Sequence, residues 1–107
     1  MKQANSDTAK RLIESLLGNP GLSHELLFYS TFAYRTFGVM QRVGKGGEGF
    51  LRLQQSFSEA VEKVRAIVQL AGDNGFSEAK QLTELSTQGM VNLMGMMRDL
   101  SIIKQNQ

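Results

Sequence analysis

Residues 50–71 read FLRLQQSFSEAVEKVRAIVQLA, and this stretch decides the fold class. Phe50, Leu53, Phe57, Ala60, Val64, Ile67 and Ala71 recur at alternating steps of three and four. An α-helix turns once in 3.6 residues, so that spacing puts all seven on one side. Val61 and Val68 widen the stripe. Three heptads of this kind make a helix that packs along its whole length, and no segment alternates as a half-buried strand does.

Glycine clusters bracket the stretch. Gly44-Lys45-Gly46-Gly47-Glu48-Gly49 precedes it, Gly72-Asp73-Asn74-Gly75 follows it, and Gly18-Asn19-Pro20-Gly21 breaks the chain further upstream. The segments between them predict helices over about 7–17, 23–43, 50–71 and 78–104. Ser6 or Asp7 can cap the first, and Ser23 the second. In the fourth, Ala79, Leu82, Ser86, Gly89, Leu93, Met96, Leu100 and Ile103 continue the three–four spacing, and Gln105 to Gln107 read as a frayed tail. The expectation is an all-α chain: a single domain over 1–107, an antiparallel helical bundle of one short and three long helices with short loops.

Composition narrows the function. The chain has 107 residues and no cysteine, so disulfide scaffolds, thiolate nucleophiles, zinc fingers and cysteine-held iron–sulfur clusters are excluded. The absence of cysteine fits a cytoplasmic location. The N-terminus carries no apolar run of the secretory type, and the longest apolar stretch, Leu26 to Tyr34, is far short of the ~20 residues of a membrane span. With one histidine and no C-x-x-C-H string, neither a metal nor a haem is expected, so the cofactor expectation is none. No set of nucleophile, base and stabiliser assembles, which argues against an enzyme acting alone.

Net charge is +2. Residues 1–53 hold seven basic and four acidic side chains, and the excess gathers at Arg35, Arg42, Lys45 and Arg52. These four are candidates for anion binding, but a nucleic-acid surface ordinarily carries a denser basic footprint. Gly44, Gly46 and Gly49 match G-x-G-x-x-G in form; a helix precedes them where the dinucleotide motif needs a strand, so the plain reading is a helix-to-helix turn. Consecutive glycine amides beside Lys45 can still hold an anion.

Ser23-His24-Glu25-Leu26 is similar to the H-box of sensor histidine kinases, in which a histidine early in a helical hairpin carries a phosphoryl group. The likeness implies His24 as phosphoacceptor, with Glu25 helping to remove its proton. It covers four residues of 107. Leu27 stands where the family has a basic residue, no proline follows within the helix, and Leu27 and Phe28 replace the lysine and glycine of stand-alone phosphotransfer bundles. Thr31, Arg35 and Arg42 share the angular position of His24, and the plain reading of that line is a solvated face.

Five of the eight aromatics, Phe28, Tyr29, Phe32, Tyr34 and Phe37, fall within ten residues. Four of them, Phe28, Tyr29, Phe32 and Phe37, spread with Leu26, Ala33, Val39, Met40 and Val43 over about half the circumference of the second helix. A stripe so wide calls for neighbours on two sides, supplied by this chain or by a second copy. Tyr34 projects towards the polar side and is a candidate contact residue. Met90, Met94 and Met97 follow i, i+4, i+7 along one edge of the fourth helix; they are candidates for an adaptable contact surface, and the plain reading is that methionines fill a core. The expected function is therefore a non-catalytic protein–protein interaction or assembly module, a homo-oligomer through its helix faces. Phosphotransfer through His24 is the alternative.

Overall fold

In a computed structural model, residues 5–105 are described, with side chains from 5 to 101. The first helix, α1, is Ser6–Ser15, and Asn5 caps it by accepting the Thr8 amide at 2.9 Å. Helix α2 is Pro20–Val43. It starts three residues before the expected Ser23 cap, because Asn19 accepts from the Leu22 amide and Pro20 occupies the first helical position. Proline has no amide to satisfy there and its φ is already helical. Helix α3 is Phe50–Asp73, where the seam spacing predicts a helix. No strand occurs among the described residues.

Backbone geometry ends the long helices at glycine. Gly44 closes α2 with φ +79°, and Gly47 sits so tightly that a Cβ there would lie 2.5 Å from the Val43 carbonyl oxygen. At the end of α3, Gly75 takes φ +106°; its amide bonds the Gly72 carbonyl and the Phe76 amide reaches back to Ala71. This pair of bonds is a Schellman motif, and the Phe76 ring that follows it is buried.

The expected fourth helix is two helices. Helix α4 is Ala79–Thr83 and helix α5 is Thr87–Gln105, so the chain has one short helix more than the spacing predicts. Ser86 stops a continuous ladder: its hydroxyl accepts the Gly89 amide at 3.1 Å and caps α5. Arg65 of α3 takes up the carbonyls freed at the break, donating to Thr83 at 2.5 Å and Leu85 at 3.1 Å. The interruption changes the helical phase, so α5 does not continue the stripe drawn through Ala79 and Leu82. Met90, Leu93, Met94 and Met97 face inward with no exposure, whereas Met96 and Leu100 are only half-buried. Met90, Met94 and Met97 are therefore core residues, which corrects their candidacy as a contact edge and agrees with the plain reading of the spacing. The Ile103 side chain and residues 106–107 of the expected tail lie outside the described residues.

The seam of α3 is buried from Phe57 to Ala71, and Phe50 and Leu53 are partly buried at its start. Helix α2 packs against α3 on one side and α5 on the other; α1 packs chiefly on α5, and α4 on α3. Phe37 meets Phe57 with ring centroids 5.4 Å apart, and Tyr34 meets Gly95. Leu12, Leu16, Leu26, Val64, Val68 and Leu93 complete the interior. No helix of the described residues is long and apolar enough to cross a membrane.

An ion pair ties α1 to the start of α4. Arg11 donates to both carboxylate oxygens of Glu78, at 2.8 and 2.6 Å. That hydrogen bonding holds the Glu78 carboxyl below the usual carboxylate range. A carboxylate depressed in the folded state contributes stability above its unfolded pKa and loses it as pH falls through the folded value. Acid titration of stability should therefore show a loss below about pH 4.5 that Glu78→Gln partly flattens. An unchanged acid limb in Glu78→Gln would show that the pair contributes nothing, as many exposed pairs do.

Candidate interaction surface

Helix α2 carries four of the candidate residues, His24, Tyr34, Arg35 and Arg42, and its two neighbours sort its side chains. Leu26, Ala33 and Met40 point inward and are buried. Tyr29 and Phe37 are partly covered. Phe28 and Phe32 are not: they remain 56% and 42% exposed although helices flank α2 on both sides. Their rings stack, with centroids 6.5 Å apart and an interplanar angle of 10°, and Phe28 also meets Tyr29 edge-on at 5.1 Å. Val43, 36% exposed, and half-buried Val39 continue the line along α2. At ~100° per residue, Phe28, Phe32, Val39 and Val43 fall within about 60° of one another. They form an apolar ridge facing solvent.

A groove of about 370 Å³ runs beside the ridge, between Phe28, Tyr29 and Phe32 of α2 and Ser56, Glu59 and Lys63 of α3. A second cleft of about 440 Å³ lies at the tip of the α2–α3 hairpin. Phe37, Met40, Phe50 and Phe57 line it, with Lys45 and Thr87 also on its wall. Lys45 thus belongs to an apolar cleft rather than to the line of arginines.

His24, Arg35 and Arg42 are all exposed on the outer side of α2. They share an angle but not a site. A rise of 1.5 Å per residue separates His24 from Arg35 by about 16 Å and Arg35 from Arg42 by about 10 Å, too far for one small anion to touch all three. No hydrogen bond or ion pair among the described residues orients the His24 ring. Arg52 stands exposed in the first turn of α3, and it likewise makes no ion pair among the described residues. In the glycine loop, the amides of Gly44 and Gly47 are spent on Met40 and Gly44 carbonyls, which leaves fewer donors for an anion. Among the described residues no group of three His, Cys, Asp or Glu side chains could hold a metal ion.

Tyr34 is half-buried. The Arg98 guanidinium covers its ring at 4.5 Å from the centroid, and its edge fits against Gly95. Its ring is largely engaged within the chain. Leu51, 77% exposed at the start of α3, is an apolar surface residue that the helical spacing did not single out. Comparison of the chain with protein-family models, with curated proteins and with solved structures found no match.

Proposed function

We propose that the helices close as an antiparallel bundle acting as a non-catalytic, cytoplasmic protein–protein interaction module that self-associates through the outer face of α2. The observation that carries this reading is the stacked Phe28–Phe32 pair, left exposed on a helix already flanked on two sides. Two adjacent exposed aromatics expose apolar area that burial would stabilise by about 25 cal/mol per Å². Contiguous exposed apolar patches are a common mark of contact sites.

The test is the solution mass across a concentration range, by size exclusion with light scattering. The wild-type chain should pass from monomer to a defined oligomer as concentration rises. Phe32→Glu should weaken that association at least ~30-fold, as loss of a central aromatic does. It should leave helicity unchanged, since Phe32 is already solvated on one side. A wild-type chain that stays monomeric at every concentration would remove the self-association reading.

A further inference from the structure

The cleft at the tip of the α2–α3 hairpin has the composition of a small-molecule site. Its volume of about 440 Å³ falls in the range of such pockets, roughly 300–1,000 Å³. Phe37 and Met40 of α2 and Phe50 and Phe57 of α3 give it an apolar lining. Met40 and Phe57 are buried, and the Phe37 and Phe57 rings lie 5.4 Å apart, so core packing fixes that lining in place. Gln41, Lys45, Gln54, Ser58 and Thr87 stand around it and are exposed. None of the five makes a side-chain hydrogen bond or ion pair among the described residues. An apolar pocket edged by a few polar groups not engaged elsewhere is the usual composition of a ligand site.

The charge on the wall gives the ligand its sign. Lys45 is the one charged residue among those that line the cleft. Gly44, with φ +79°, turns the chain where α2 ends and puts Lys45 on that wall. Glu48, the nearest acidic residue in sequence, lines a different depression together with Arg52. Thr87 is the first residue of α5, so the positive end of that helix dipole adds to the lysine charge. The groove beside Phe28 and Phe32 differs, because Glu59 and Lys63 both line it and favour neither sign. We infer that the tip cleft binds an amphipathic carboxylate, with its hydrocarbon body against Phe37, Phe50 and Phe57 and its anionic group at Lys45. The cleft shares no lining residue with the ridge of Phe28, Phe32, Val39 and Val43, so binding there does not depend on self-association.

An acid of about ten heavy atoms should bind at roughly millimolar concentration, the strength expected of so small a ligand. Octanoate and 1-octanol are the probes, titrated into isotope-labelled protein and followed by NMR. Octanoate should give saturable shifts at the Gly44 amide and at the side-chain amides of Gln41 and Gln54. Lys45→Gln should weaken octanoate at least ~3-fold, as loss of an exposed charge partner does, and leave octanol unchanged. Gln54→Trp places a large ring on an exposed part of the wall; it should remove binding of both probes with helicity intact. Phe32→Glu, which tests self-association, should change neither.

Three results would overturn the site. Lys45→Gln could weaken both probes equally or neither, which would mean that the lysine does not select an anion. The shifts could centre on Phe28 and Phe32 and vanish in Phe32→Glu, which would put the probe on the ridge. Octanoate could fail to saturate by about 10 mM, well above the concentration expected. Each result stands whether the chain is a monomer or an oligomer, so it is distinguishable from failure of the self-association reading.

Discussion

Leu26→Ala should destabilise the chain by about 3 kcal/mol, whereas Phe28→Ala, two residues along the same helix, should change stability by no more than about 0.5 kcal/mol. Leu26 has no exposed surface and faces the interior of the helical packing. Removing three of its carbons forfeits their transfer energy and leaves a cavity that the surrounding helices can only partly close. For a domain of this size the loss lowers Tm by roughly 10–20 °C. Phe28 is more than half exposed, so truncating it removes few contacts within the chain. Urea and thermal melts of the two variants, followed by circular dichroism, measure the contrast. Equal destabilisation would mean that α2 is rotated from the orientation described. Under the proposed self-association, Phe28→Ala should instead weaken the association, which would separate a residue that builds the fold from one that serves the proposed contact.

That division within α2 was only half legible in the sequence. Nine apolar residues spread over half a helical turn announce that the helix packs widely, but not where its neighbours stop. Tyr29 and Phe37 are partly covered and Phe28 and Phe32 are left exposed, because α3 and α5 approach from particular sides. An angular projection contains no information about those directions. The seam of α3 was readable because its spacing runs unbroken between two glycine clusters, and both clusters do end or turn helices. The interruption at 84–86 leaves little trace in the sequence. Its local signal is slight, a single Ser86 hydroxyl, and its main support is Arg65, some twenty residues earlier in the chain. Missing the break carried one helical phase across it, which put Met90, Met94 and Met97 on an edge when they fill the core. The line of His24, Arg35 and Arg42 shows the opposite limit. Their shared face was legible, but the 1.5 Å rise spreads them over a distance that no small ligand spans.

Gly95→Val should cost about 3 kcal/mol, and most of that cost should vanish in a Tyr34→Ala background. Gly95 is where α5 meets α2: a Cβ at this position would lie 2.6 Å from Cε1 and 3.0 Å from Cδ1 of Tyr34. Real carbon atoms do not approach so closely without displacement, so the ring or the helix must move. Helix propensity works in the other direction, since glycine is the poorer helix former by several tenths of a kcal/mol. The sign of the net effect therefore depends on whether Tyr34 can yield. Arg98 stands over the ring at 4.5 Å and is itself held by Asp99, which accepts from it at 2.8 and 3.2 Å. Moving Tyr34 thus breaks a cation–π contact as well as its packing, and a branched valine adds two further carbons to the overlap. With Tyr34→Ala the obstructing ring is absent, and the valine has space to occupy. A double-mutant cycle on unfolding free energies should give a coupling of at least about 1.5 kcal/mol, with the double variant more stable than additivity allows. Additive losses would mean that the valine clashes elsewhere, and that the packing of α2 on α5 does not depend on the glycine at this crossing.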